Sequence, residues 1–212
     1  MLLARERRLI AEFGRRMTGD RLVVGTAGNL SVRSGELVAV TPSGYPYQTL
    51  TPELVCVRRL DGAAVEGALA PTSELPLHRL IYAHTDAGAV VHTHSTAATA
   101  VSTLVAELPA VHYILAVMGG PIRVAPYARF GSEELAANVL AALEGRSGAL
   151  LANHGAVTYG PTIEAAYDRA LYLEWVADVW LRAHALVPAF TPHILGAAEL
   201  AEVHARLREM PG

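Results

Sequence analysis

The run Ala89-Val90-Val91-His92-Thr93-His94 joins a segment that has to be buried to two side chains able to bind an ion. Val90 and Val91 predict a buried β-strand. Side chains in a strand alternate faces, so His92 and His94 project from the same side, roughly 6.5 Å apart along the backbone. Two imidazoles so spaced can converge on one cation. Nine histidines in 212 residues yield about 0.4 such pairs by chance, so the pair calls for a third ligand.

Asn153-His154-Gly155 interrupts a second apolar run, Gly148-Ala149-Leu150-Leu151-Ala152, where a buried strand would end and turn. His154 then sits at a strand end and completes a set of three histidines, the number that leaves a catalytic zinc one open position. Glu74 lies in Pro71-Thr72-Ser73-Glu74, a polar turn opening a helix. Its carboxylate is a candidate fourth ligand, or a base beside the metal.

A chain of 212 residues fits one domain, 1–212, large enough to bury a core without staples. With 52% hydrophobic residues, a net charge of −3 and no basic stripe, it reads as an ordered protein without a nucleic-acid surface. Cys56 is the only cysteine, which leaves no intrachain disulfide and suits a reducing cytosol. The opening Met1-Leu2-Leu3-Ala4-Arg5-Glu6-Arg7-Arg8 lacks the basic-then-apolar order of a signal peptide. The least charged stretches, 109–122 and 147–163, are broken by Gly and Pro. The expectation is a soluble, cytoplasmic protein with no membrane partner. All 17 basic residues are arginines. A Schiff base needs a side-chain amine, so pyridoxal chemistry and lysine-dependent aldol chemistry are excluded, as is a Walker phosphate lysine.

Three short turns are rich in hydroxyl, amide and glycine: Gly25-Thr26-Ala27-Gly28-Asn29, Thr41-Pro42-Ser43-Gly44 and Thr72-Ser73. Together they would offer a phosphate uncharged donors and backbone N–H groups. Singly, each reads as plain loop chemistry, so the joint reading depends on the fold bringing them together.

Leu2, Leu9, Ile10, Phe13 and Met17 predict an amphipathic helix over Leu2–Met17, with arginines opposite. Strands follow at Leu30–Arg33, Glu36–Val40 and Leu54–Leu60, the last returning through Ala63–Glu66. Thr72 or Ser73 caps a helix from about Glu74 to Ala83, in which His78, like the later His84, reads as a surface or structural residue and not a ligand. Helices are expected over Thr96–Val105 and Pro109–Met118, and a strand over Ile122–Ala125. Ser132 caps a helix through Leu143, and Thr162 caps a long helix to about Leu186. In that helix Trp175, Val176, Val179 and Trp180 are core or subunit contact. A last amphipathic helix covers Ala197–Met210, before Pro211-Gly212. Tyr113 by itself reads as a core aromatic.

The ordered segments Thr26-Ala27-Gly28-Asn29-Leu30-Ser31-Val32, Thr41-Pro42-Ser43-Gly44, Thr72-Ser73-Glu74, Val91-His92-Thr93-His94, Val111-His112-Tyr113, Ala125-Pro126-Tyr127-Ala128-Arg129-Phe130-Gly131 and Asn153-His154-Gly155 resemble the class II sugar-phosphate aldolase and epimerase family over nearly the whole chain. The resemblance implies an α/β fold, a three-layer α/β/α sandwich around a mixed, largely antiparallel sheet. It also implies a homotetramer with active sites at subunit boundaries and one Zn²⁺ per subunit on His92, His94 and His154, with Glu74 as fourth ligand when substrate is absent. By the same resemblance Gly28, Asn29, Ser43, Gly44, Thr72 and Ser73 hold the substrate phosphate.

The activity implied is reversible aldol cleavage of a ketose 1-phosphate, such as L-fuculose 1-phosphate, to dihydroxyacetone phosphate and a small aldehyde such as L-lactaldehyde. Cleavage leaves an enediolate, whose charge zinc stabilises as a Lewis acid where no lysine iminium is available. In condensation Glu74 removes the proton from dihydroxyacetone phosphate, and Tyr113 of a neighbouring subunit protonates the aldehyde oxygen. The chain departs from the family in having no tyrosine after Tyr172 and in carrying Thr72 where serine is more usual. One alternative is a 4-epimerase, decarboxylase or dehydratase on the same scaffold, though the epimerase aspartate has no counterpart between Asp86 and Asp168. Another is a non-catalytic binding module of the adducin kind, which lacks the zinc histidines.

Overall fold

In the computed structural model, which describes residues 1–186, 189 and 191–209, the Ala89–Thr93 segment is a strand buried on both faces. The helices are α1 (Ala4–Gly19), α2 (Leu75–His84), α3 (Thr96–Ser102), α4 (Glu133–Ala142), α5 (Ile163–His184) and α6 (Ala197–Glu209). The strands are β1 (Asn29–Ser34), β2 (Leu37–Val40), β3 (Cys56–Arg59), β4 (Ala64–Glu66), β5 (Ala89–Thr93), β6 (Glu107–Leu108), β7 (Ile122–Ala125), β8 (Gly148–Leu151) and β9 (Gly155–Gly160). Among the described residues they form one sheet in the order β4-β3-β2-β1-β5-β9-β8-β7-β6. Every pairing is antiparallel except β7 with β8.

Alternation along β5 sorts the layers. Val90 packs with Leu77 and Ile81 of α2 and Leu135 and Val139 of α4. Ala89 and Val91 point the other way, onto Ile10 and Phe13 of α1 and Ile163 and Tyr167 of α5. α3 and α6 lie on that second side, against Leu150 and Ala156. The result is the expected three-layer arrangement. A slip of one residue would send Val90 and His92 to the opposite face. Burying each valine contributes about 1.5–3 kcal/mol, which ties the register to the two cores.

Several expected elements differ in detail. α1 starts at Ala4, and Leu2 is 46% exposed, off the apolar stripe. Arg7 is buried and not on the solvent side, its guanidinium 2.8 Å from Glu66, which balances the charge. Pro109–Met118 is not an α-helix: Glu107–Leu108 is drawn into the sheet beside β7, and only Tyr113–Met118 coils, as a 3-10 turn capped by the His112 ring. The same strand ends α3 at Ser102, short of Val105. The strand expected over Leu54–Leu60 is confined to Cys56–Arg59, because Pro52–Leu54 turns. Val176 and Trp180 are core, whereas Trp175 is 48% exposed. α6 reaches Glu209, and Met210, Pro211 and Gly212 lie outside the described residues. No helix among the described residues is long and apolar enough to cross a membrane.

Candidate active site

Three backbone features converge at one end of the central strands. β5 delivers His92 on the α2 side of the sheet, and His94 follows just beyond its end. The β8–β9 hairpin pairs Leu151 with Gly155 and leaves Ala152-Asn153-His154 as its loop, Asn153 taking a left-handed φ of 57°. Gly155 lets the hairpin close on β5, since a Cβ there would fall 2.1 Å from the Thr93 carbonyl oxygen. Glu74 is the N-cap of α2, one residue before the helix expected to begin with it, and its N–H donates to Thr72 Oγ1.

These elements bring the three histidines and the carboxylate together, with one ligand atom from each lying within 4.8 Å of the others. His92 Nε2 is 2.9 Å from His94 Nε2 and 3.0 Å from Glu74 Oε2, and His154 Nε2 is 3.6 Å from Glu74 Oε1. Ligands of a tetrahedral zinc, about 2.0–2.1 Å from the ion, lie about 3.3 Å from one another, so these separations suit a common cation. Two further observations fit. His92 Nδ1 is 2.9 Å from the Ala156 carbonyl oxygen and donates to it, which aims Nε2 at the cluster. Glu74 Oε1 is buried without a hydrogen-bond partner, an orphaned acceptor of the kind a cation satisfies.

The electrostatics agree. Burial alone would raise the Glu74 carboxyl, but the charge and hydrogen bond of His92, then His154 and Asn29, outweigh it and hold the group well below the usual carboxylate range. Burial opposes a proton on His92, yet Glu74 and the Ala156 carbonyl keep its imidazole above the ordinary value. His94 is pushed down to about 3 by burial and by His92 and His154, and His154 down to about 4 by burial and His92. Without a cation and below the ordinary imidazole value of 6.5, the Glu74–His92 pair carries one proton and the other two rings keep free lone pairs.

The three polar turns meet beside this cluster. A cavity of about 330 Å³ is lined by Gly28, Asn29, Ser43, Gly44, Thr72 and Ser73 together with Glu74, His94 and His154. Its wall is stitched by the backbone: Ser43 N–H donates to Ala70 at 2.9 Å, Thr72 N–H donates to Thr41 at 3.0 Å, and Pro42 bridges Pro71. Thr26, Pro42, Asn153, Tyr127 and Phe130, neighbours of the expected site residues in the same motifs, also line it. Tyr127 and Phe130 belong to the Pro126–Gly131 loop, and their exposure, 67% and 60%, is the signal that a folded chain adds. Of the two histidines read as surface or structural, His78 is the structural one. It is fully buried and reaches Asn29, while His84 is exposed. The four-residue spacing from Glu74 to His78, which puts both on one helix face, was the available clue.

Tyr113 is not a core aromatic. It is 50% exposed, with its ring 4.4 Å from that of His112, which in turn meets Trp175 at 4.6 Å. It lies outside the residues lining the cavity within one chain.

Residues 8–181 match the family model described as Class II Aldolase and Adducin N-terminal domain. A 5-deoxy-D-ribulose 1-phosphate aldolase of Bacillus thuringiensis serovar kurstaki is 40% identical over 183 residues, covering 85% of this chain and 86% of that protein. An L-fuculose phosphate aldolase of Escherichia coli is 41% identical over 167 residues, 78% of this chain and 77% of that protein. Among solved structures, an L-fuculose 1-phosphate aldolase superposes with a TM-score of 0.93 at 33% identity, over 98% of each chain.

Proposed function

This chain belongs to the Class II Aldolase and Adducin N-terminal domain family, and from that premise we propose that it is a metal-dependent aldehyde-lyase cleaving a ketose 1-phosphate to dihydroxyacetone phosphate and a small aldehyde. One observation carries the reading: a histidine-carboxylate cluster and three uncharged polar turns share a single cavity. An adducin-like binding module has no use for the first of these.

In this reading His92, His94, His154 and Glu74 hold one divalent ion, and three nitrogens with one oxygen suit zinc. When bound, the ion supplies a Lewis acid for the negative charge that carbon–carbon cleavage leaves on the phosphate-bearing fragment. Gly28, Asn29, Ser43, Gly44, Thr72 and Ser73 bind the phosphate and so set the sugar's register in the cavity. In condensation Glu74 takes a proton from the carbon that becomes the nucleophile, and in cleavage it returns one there. Tyr113, supplied across a subunit boundary of a homotetramer, gives a proton to the aldehyde oxygen in condensation and takes it from the corresponding hydroxyl in cleavage. The exposed half of the Tyr113 ring supports a role outside its own subunit.

The substrate is a deoxyketose 1-phosphate of the 5-deoxyribulose or L-fuculose kind, both of which end in a methyl group remote from the phosphate. Tyr127 and Phe130 at the cavity support an apolar end. A single domain in the cytoplasm accords with the lone buried thiol of Cys56.

The test is a product assay on both sugars, with a chelator arm and Glu74→Gln. Dihydroxyacetone phosphate should appear, and each perturbation should lower its formation at least about 100-fold, the scale of lost acid–base catalysis. Epimer formation without cleavage would reject the aldolase. Tyr113→Phe should lose turnover on the same scale with metal retained, and unchanged turnover would remove that residue from the mechanism.

A further inference from the structure

His78 lies one helical turn after Glu74, is 0% exposed, and is neither in the metal-capable cluster nor on the cavity wall. Its ring is nonetheless tied to the cluster through a short hydrogen-bond chain. Nδ1 is 2.6 Å from Ser31 Oγ, which is 2.7 Å from the Tyr82 hydroxyl. Nε2 is 2.5 Å from Asn29 Oδ1, and Asn29 Nδ2 donates to Glu74 Oε2 at 2.8 Å.

The direction of each link follows from what each group can give. A carboxylate only accepts, so Asn29 turns its NH₂ toward Glu74 and its carbonyl toward His78. That carbonyl also only accepts, so His78 carries its proton on Nε2. Nδ1 then accepts from Ser31, whose oxygen accepts from Tyr82. Burial keeps the ring neutral, pushing it down to about 3, so it has a single N–H to offer. A flipped Asn29 amide would set its carbonyl oxygen against a Glu74 oxygen and its NH₂ against the His78 N–H, so carboxylate and imidazole hold the amide from both sides.

We propose that His78 is a positioning residue, which fixes the Asn29 amide and through it the orientation of Glu74. This rests on the reading of Glu74 as the proton-transfer group. It extends that site inward to a side chain that touches neither substrate nor ion.

The test compares His78→Phe, which fills the space without a donor, with His78→Gln, whose amide N–H reaches near the place of Nε2. In the metal-loaded protein, His78→Phe should lower kcat at least about tenfold with KM within about threefold and metal content unchanged, while His78→Gln should stay within about threefold of the parent. Long-range ¹H–¹⁵N spectra of the histidine-labelled parent protein, before and after chelation, should show a neutral His78 ring protonated on Nε2. Equal losses in the two variants, an unaffected His78→Phe, or a proton on Nδ1 would each overturn the proposal. If His78→Phe does not fold, the spectrum and His78→Gln decide. A parent protein that cleaves no ketose 1-phosphate would overturn the aldolase reading instead, and the spectrum would still report the direction of the chain.

Discussion

Gly155 has no room for a side chain, because its Cβ would lie 2.1 Å from the Thr93 carbonyl, between the two histidine-bearing segments. Gly155→Ala should therefore cost about 1–3 kcal/mol in urea unfolding, as overpacking does, and lower metal content by spreading His154 from His92. An unchanged unfolding midpoint would mean the hairpin is held otherwise. The same residues set a proton count. His92 is the one ring whose pKa is raised, by Glu74 acting against burial, while His94 and His154 sit near 3 and 4. A cation at neutral to mildly acidic pH displaces the His92 proton and finds the other two rings already bare. Calorimetry at about pH 6 in buffers of different ionisation enthalpy should report one proton released per ion. Release of about two or more protons would show that the rings titrate as ordinary histidines, each about three-quarters protonated at that pH.

At the scale of elements, α5 does more than cover the sheet. Its Glu174 carboxylate accepts from the N–H groups of Ala97 and Ala98, both at 2.8 Å, and so caps α3, which starts at Thr96 just beyond His94. Glu174→Ala should cost about 1–3 kcal/mol, the scale of charge-assisted hydrogen bonds to otherwise orphaned donors. Asp178→Ala, four residues on, breaks only an exposed pair with Arg182 and should leave the unfolding midpoint unchanged. Comparable losses in urea unfolding would refute that distinction. In the sequence Glu174 and Asp178 look alike, as charges interrupting an apolar helix, because a cap across 77 residues leaves no local mark. Ser132 and Thr162 were legible as caps because their hydroxyls serve N–H groups only three residues away. Pro109–Met118 is illegible for the same reason as Glu174: Glu107–Leu108 just before it pairs with β7, and only Tyr113–Met118 of the apolar run coils, as a 3-10 turn.

For the whole molecule, buried ionisable groups limit the pH range of the fold. His78 stays neutral down to about 3 when folded, whereas the unfolded chain takes up that proton near 6.5. Unfolding is thus increasingly favoured as pH falls below about 6.5. Tyr47 and Tyr82 are raised above their ordinary 10.0, Tyr47 by burial and then Glu74, Tyr82 by burial against its Ser31 bond. The unfolded state alone loses those protons, so stability also falls as pH climbs past about 10. Urea unfolding of the metal-free protein across pH should give a plateau between these limbs, and a shallower acid limb in His78→Gln than in the parent, the remainder coming from His94, His154 and Glu74. An identical acid limb in the two would show that other groups govern it. By itself the amino-acid order determined the strand that carries His92 and His94, the polar turns, the exclusion of amine chemistry and the set of metal-capable side chains. These follow from alternation, composition and side-chain chemistry, which act over a few residues. Tertiary structure alone decided that Asn29 and His78 stand behind Glu74, that Tyr127 and Phe130 face the cavity and that Tyr113 lies outside the cavity of its own chain. Those positions depend on how the strands order themselves across the sheet, and that order is set by burial summed over two cores, which no single segment records.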